Sequence, residues 1–286
     1  IGKGLYQTLG AEYSKLQSIS LAIDANESTE TILQGILKVV SNSLNDVRVR
    51  WKSERFEIPY LQPITLSKTK KVEGPILITG GTRGLGMTYA KYLVENHQVK
   101  QLVLLGRQAF PERSTWNSIT DESLRNKIKD VQFLENRGAD VKIISASLVN
   151  KQELSSTLLE IKKEWGSIRG LIHCAGLVDT ETPAFIRKPV TTITKLHEPK
   201  VQGLHNLYEV LKEHSLEFGV LFSSISALVP SLGAGQCDYA MCNAYLEDFA
   251  SKHYKEGYRS IQWPSWKETG MGEVVDGIYR ELGLLS

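Results

Sequence analysis

Residues 79–86 read Thr79-Gly-Gly-Thr-Arg-Gly-Leu-Gly86, directly after the apolar run Pro75-Ile-Leu-Ile78. A short apolar strand that leaves through a glycine-rich turn into a helix is how a nucleotide-binding α/β sheet begins. Gly80, Gly84 and Gly86 follow a G-x-x-x-G-x-G pattern. One glycine makes the tight turn, one admits a pyrophosphate close to backbone N–H groups, and one lets the helix pack on the strand. The pyrophosphate would then sit at the positive end of the helix expected over Met87–Asn96. The fold class this predicts is α/β, a doubly wound parallel sheet.

Outward from that turn, strand and helix patterns alternate as a covered parallel sheet requires. Strands are expected at Ile76–Thr79, Leu102–Leu105, Val141–Ser145, Gly170–His173, Gly219–Phe222 and Ser260–Trp263. Helices are expected between them, among others at Lys151–Trp165, Val201–Leu211 and Tyr239–Tyr254. Residues 1–71 form a second compositional block without a glycine-rich loop. There Ser18–Ile23 reads as a strand, Thr31–Val40 as an amphipathic helix, and Asp46–Tyr60 as a hairpin that breaks at Ser53-Glu54-Arg55. The polar, basic stretch Ser67–Lys71 reads as a linker. Two units follow: residues 1–71, and residues 72–286 with the nucleotide site.

Composition narrows the function classes. The chain has 286 residues, 41% hydrophobic and 23% charged, with a net charge of +2. That charge argues neither for a nucleic-acid footprint nor for an anionic membrane surface, and no such partner is expected. No apolar run reaches the length needed to span a bilayer. The start, Ile1-Gly-Lys-Gly4, has neither an initiator methionine nor a signal-peptide pattern, so an excised piece of a longer protein is expected, monomeric on its own. Cys174, Cys237 and Cys242 have no metal spacing, nor do the six histidines. Cytoplasmic localisation and no metal are expected.

The end of the second strand of a nucleotide sheet selects the cofactor. Here it reads Leu104-Leu105-Gly106-Arg107, without a carboxylate, and Arg83 lies in the glycine turn. Two guanidiniums suit a 2′-phosphate, so NADPH is expected over NADH. Tyr239 and Asn243, four apart on a helix, project from one face, and Phe222-Ser-Ser224 ends a strand at the carboxyl edge of the sheet. A phenol has a pKa of about 10 and donates a proton more readily beside an ammonium. A serine hydroxyl can hold the substrate oxygen.

The stretches Thr79–Gly86, His173-Cys-Ala-Gly176, Phe222-Ser-Ser224, Gly235-Gln236 and Tyr239-Ala-Met-Cys-Asn243 resemble the short-chain dehydrogenase/reductase superfamily. More narrowly they are similar to the ketoreductase domains of modular polyketide synthases. Those domains carry Asn where the superfamily has Lys, and bring the lysine from a preceding helix. Glu198-Pro-Lys200-Val matches that helix, which makes Lys200, rather than Lys195, the lysine. The resemblance implies that Tyr239 protonates the alkoxide, Ser224 orients the ketone, Lys200 lowers the tyrosine pKa, and Asn243 supports a relay water. It assigns Gly80, Thr82, Arg83, Gly84, Leu85, Gly86, Arg107, Ser147, Leu148, Ala175, Gly176, Pro264 and Ser265 to cofactor binding. Residues 262–272 resemble a cofactor-covering segment, and residues 1–71 the end of a truncated structural subdomain, docked against the reductase sheet. The implied substrate is a β-ketoacyl thioester on the phosphopantetheine of an acyl carrier protein, with other synthase domains as neighbours.

Some residues depart from the family pattern. The interval from Ser224 to Tyr239 is two residues longer than usual, so Ser226 fits the raw spacing and Ser224 the motif. Ser147 stands where an aspartate near the adenine is common. Leu177-Val-Asp-Thr180 partly matches the signature of the type giving the D-configured alcohol, and Ala227–Ser231 lacks the tryptophan of the opposite type. Pro230–Gly235 and Pro183–Lys188 lean toward synthases whose acyltransferase acts in trans. The alternatives are reduction of an α-keto thioester, or a non-reducing structural domain that keeps the fold.

Overall fold

The computed structural model describes residues 2–42, 48–65, 71, 73–179, 181–182 and 184–266. Val47, residues 67–70 of the expected linker, Thr180, Pro183 and the covering segment from Lys267 onward lie outside the described residues.

Six parallel strands form the main sheet: β4 (Ile76–Thr79), β5 (Gln101–Gly106), β6 (Asp140–Ser145), β7 (Gly170–His173), β8 (Phe218–Ser224) and β9 (Tyr258–Trp263). Their order across the sheet is β6-β5-β4-β7-β8-β9. The chain therefore reverses its direction of travel between β4 and β7, and at such a switch point the carboxyl ends of the strands leave a crevice. All six expected strands are present, each within about two residues of its expected bounds, and the doubly wound α/β fold is as expected.

The strand sequences are apolar throughout because both faces are covered. On one face Leu77, Val103, Leu105, Leu171 and Leu221 meet helices α5 (Lys151–Trp165), α7 (Gly203–Leu211) and α8 (Cys237–Lys252) through Leu154, Leu158, Leu204, Leu207 and Leu246. On the other, Ile76, Ile78, Leu102, Leu104 and Ile172 meet α3 (Gly84–His97) and α4 (Glu122–Asn136) through Ala90, Val94, Val131 and Leu134. Truncating one such fully buried leucine to alanine costs roughly 2–5 kcal/mol. Caps mark the helix starts: Asp121 accepts from Leu124 N at 2.7 Å before α4, and Asn150 from Glu153 N at 3.2 Å before α5. Helix α6 (Val190–His197) leads into one π-helical turn, Glu198–Gln202, closed by Gly203 N–H donating to Glu198 O.

The first block contains a small sheet of β1 (Ser20–Ile23), β2 (Arg48–Lys52) and β3 (Arg55–Glu57), with β1 parallel and β3 antiparallel to β2. The expected hairpin turns at Ser53 and Glu54, both in the left-handed region (φ 48° and 60°). Helix α2 (Thr29–Ser41) covers Trp51, and a Cβ on Gly35 would meet the indole at 2.9 Å. One helix was not foreseen: α1 (Gly2–Glu12), whose length and weak apolar stripe give little periodic signal. It also corrects the expected docking. The block seats α1 on α8, the helix that covers the sheet, rather than on the sheet itself. A Cβ on Gly4 would stand 2.7 Å from Ala240 O, and Lys3 pairs with Asp248 at 2.9 Å.

Candidate active site

A cleft of ≈ 980 Å³ opens at the carboxyl ends of β4, β5, β7 and β8. Its cofactor half starts at the glycine turn. Gly80 (φ 67°) and Gly84 (φ 54°) occupy the left-handed region that favours glycine. A Cβ on Gly86 would lie 2.4 Å from Gly80 O, a backbone atom that cannot move aside. The turn is thus a backbone cradle at the N-terminus of α3, which is the geometry a pyrophosphate needs. All thirteen residues assigned to the cofactor line the cleft, from Gly80 to Ser265. Arg83 and Arg107 are exposed there. Lys127 of α4, which the sequence reading did not single out, adds a third cation. Among the described residues, none of the three is ion-paired. A nicotinamide dinucleotide fits the features that line the cleft: the glycine turn at a helix N-terminus, three cations, and Trp263 and Trp266, whose ring centroids are 5.4 Å apart.

The opposite half carries Ser224, Tyr239 and Lys200. Lys200 sits in the π-helical turn, where the extra residue per turn rotates its side chain inward. The residue is 3% exposed. Its Nζ donates to Phe222 O at 2.7 Å and Asn243 Oδ1 at 2.8 Å, and lies 5.6 Å from the Tyr239 ring centroid. Burial pulls its pKa down to about 8. Gly176 makes room for it, since a Cβ there would meet Lys200 Cε at 2.7 Å. Asn243 is fully buried one turn behind Tyr239 and does not line the cleft; its carbonyl oxygen is engaged by Lys200 rather than open to the cleft.

Both candidate serines reach the cleft and touch each other. Ser224 Oγ accepts from Ser226 N at 3.2 Å and from Ser226 Oγ at 3.1 Å. Between the serines and Tyr239 the chain makes a 3₁₀ turn, Pro230–Gly233, where a Cβ on Gly233 would lie 2.3 Å from Thr8 Cγ2 of α1. His173 is fully buried, Nδ1 2.8 Å from Thr79 Oγ1, with burial and the Lys200 charge driving its pKa down to about 3. It packs at the end of β7, and so low a pKa leaves the ring neutral near pH 7. The three cysteines are free, and burial raises each thiol pKa, Cys237 and Cys242 to about 12. No group of metal-ligating residues forms among the described residues. No described helix is long and apolar enough to cross a membrane.

An open parallel sheet with this turn at its switch point, and a serine, tyrosine and buried lysine across the cleft, defines an oxidoreductase of the short-chain dehydrogenase/reductase class. Such enzymes act on a carbonyl group with a nicotinamide cofactor. The chain belongs to the KR domain family, which it matches over residues 74–268. It is 42% identical over 291 residues to polyketide synthase PksL of Bacillus subtilis, an alignment covering 99% of this chain and 6% of PksL. It is 30% identical over 289 residues to 6-methylsalicylic acid synthase of Penicillium patulum, 98% of this chain and 16% of that protein. The chain thus spans a small part of these relatives. A solved ketoreductase domain from the bacillaene assembly line superposes with a TM-score of 0.82 at 28% identity, over 98% of this chain and 66% of that one. An N-terminal ketoreductase from the macrolactin assembly line gives 0.79 at 28%, over 99% and 54%. The chain is a ketoreductase domain homologous to those of polyketide synthases.

Proposed function

We propose that the domain uses NADPH to reduce a β-ketoacyl thioester, presented on the phosphopantetheine of an acyl carrier protein within a polyketide synthase, to the β-hydroxyacyl thioester. The observation that carries this reading is the buried Lys200 amine, held by two acceptors beside the Tyr239 ring at the cleft.

When bound, the cofactor supplies a hydride to the carbonyl carbon. The chain does the rest. Ser224 donates a hydrogen bond to the substrate oxygen while its own lone pairs are occupied by Ser226. Tyr239 passes its phenolic proton to that oxygen as charge develops on it. The Lys200 ammonium stabilises the phenolate left behind, and burial strengthens that effect because little water screens it. Asn243 holds the amine in place rather than carrying the proton. Arg83, Arg107 and Lys127 offer three cations to the 2′-phosphate, which favours NADPH over NADH. Residues 1–71 serve as a structural subdomain that braces α8 through α1. Free thiols suit a reducing, cytoplasmic setting.

The test is NADPH oxidation with a β-ketoacyl thioester, with mass spectrometry of the carrier-bound product and chiral analysis of the alcohol, for which the D configuration is expected. Cofactor binding without oxidation of NADPH by any ketoacyl thioester would refute the reading in favour of a non-reducing domain.

A further inference from the structure

Asp179 lines the cleft beside Leu177 and Val178, and Phe185 and Lys188 follow it in the same segment of the chain. Two charged side chains tie this segment to the start of α8, immediately before Tyr239. The first is Lys188, whose side chain is 0% exposed. Its Nζ lies 2.8 Å from Asp179 Oδ2 and 3.2 Å from Asp238 Oδ2, carboxylates that are themselves 9% and 1% exposed. Asp238 Oδ1 in turn accepts from Tyr239 N at 2.9 Å. The second is Glu12, the last residue of α1. Its Oε1 accepts from Phe185 N at 2.7 Å, and its Oε2 from Gly235 N at 3.3 Å and from Cys237 Sγ at 3.1 Å. Burial works against its charge, but these hydrogen bonds outweigh burial and keep the carboxyl below its ordinary pKa. The Lys188 hydrogen bond likewise holds Asp179 low.

Four charges withdrawn wholly or partly from water, Lys188, Asp179, Asp238 and Glu12, are a poor way to gain stability, because apolar residues of similar volume do as well or better. Their directional bonds do something apolar packing cannot. They fix one backbone segment against another in a single register. Lys188 joins Asp179 to Asp238, and Glu12 joins Phe185 to Gly235 and Cys237, so both ties cross the same gap between the segment and the start of α8. That gap lies between the segment that begins at the cleft-lining Asp179 and the helix that carries the phenol.

We propose that Lys188 and Glu12 are positioning residues of the reduction: they lock the Asp179–Lys188 segment onto the N-terminus of α8, and so set where a bound carbonyl meets Tyr239. This rests on Tyr239 being the proton donor. It also gives the first block an indirect part in the reaction, by positioning, since one of the two ties comes from α1.

The experiment compares wild type with Lys188→Met, Lys188→Arg and Glu12→Gln, using a β-ketoacyl thioester, with hydrogen exchange measured on the same samples. Lys188→Met is expected to lower kcat/KM for the thioester about 10- to 100-fold, while KM for NADPH stays within about twofold of wild type. Lys188→Arg should recover part of the loss, and Glu12→Gln should show a smaller loss of the same kind. Exchange should rise over residues 177–189 and 235–240 in Lys188→Met and Glu12→Gln, and not over β4 and β5. Equal kcat/KM in wild type and Glu12→Gln, together with a Lys188→Met loss that vanishes after correction for folded fraction, would overturn the proposal. If Lys188→Met does not fold, Glu12→Gln and Asp179→Asn decide by the same criteria. If wild type itself reduces no thioester, the functional reading fails, and exchange alone judges the staple. Unchanged exchange over 177–189 would then overturn it.

Discussion

The two halves of the cleft are built from opposite materials. The cofactor half is mostly backbone: a turn of glycines whose value lies in atoms that are missing, with exposed cations at its rim. The proton-donor half is mostly side chain: a buried amine, an amide behind it, a phenol and paired serines. The first should therefore fail when atoms are added, and the second when atoms or charges are removed.

The largest expected effect is a removal. Tyr239→Phe deletes one hydroxyl and should lower kcat by about 10²–10⁴, with NADPH affinity, followed by fluorescence titration, within about twofold of wild type. Loss of cofactor affinity in step with turnover would erase the division. Next comes an addition. Gly86→Ala forces a Cβ to 2.4 Å from Gly80 O, so NADPH binding should be abolished and the melting temperature should fall, by an amount equivalent to about 1–3 kcal/mol of overpacking. Gly176→Ala sits on the seam, because its Cβ would displace Lys200 at Cε. It should lower kcat more than it weakens cofactor binding, although it is a glycine substitution.

Smaller effects sharpen the same contrast. Ser224→Ala should lower kcat/KM about 10²-fold, the size of losing one donor to a developing oxyanion, and Ser226→Ala distinctly less, since Ser226 acts through Ser224. The reverse ranking would move the substrate contact to Ser226. Arg107→Ala should raise KM for NADPH about tenfold, the value of one charge-assisted contact, and leave NADH kinetics unchanged. A residual preference for NADPH in that variant would be carried by Arg83 and Lys127.

The cofactor half was legible because its signal is local. Gly80, Gly84 and Gly86 stand within one turn between a strand and a helix, so spacing alone carries the physics. The six sheet strands were legible for a similar reason: burial on both faces writes itself as apolar runs. In the donor half Tyr239, Asn243 and the serines could be placed by helix spacing and strand end, but Lys200 only through resemblance. Nothing in residues 198–202 announces a π-helical turn, and Lys200 meets Asn243 across 43 positions of sequence. Asn243 was expected to support a relay water; that its side-chain oxygen also accepts from Lys200 could not be read from the spacing. Glu12 and Lys188 gave no signal at all, because their partners are brought by tertiary packing of α1 and of the Asp179–Lys188 segment. Lys127 could have been found from its helix, α4, the first α-helix after the strand that ends at Gly106, just before Arg107.

Lys200 also links pH to both stability and rate. Its folded pKa of about 8 lies below the ordinary value of 10.5 that holds in the unfolded chain. Between those values the unfolded chain binds more protons, so this group makes stability rise with pH over that window, and the contribution is lost as pH falls through about 8. Activity should move the other way, because the charged amine is the form that stabilises the phenolate.

The most direct measurement is kcat for thioester reduction against pH, from 6 to 10, in wild type and Lys200→Met at saturating NADPH. The account predicts a wild-type rate that falls as pH rises through about 8, and a variant slower by about 10² at pH 7 that lacks this fall. A variant with the wild-type rate and the wild-type profile would contradict it.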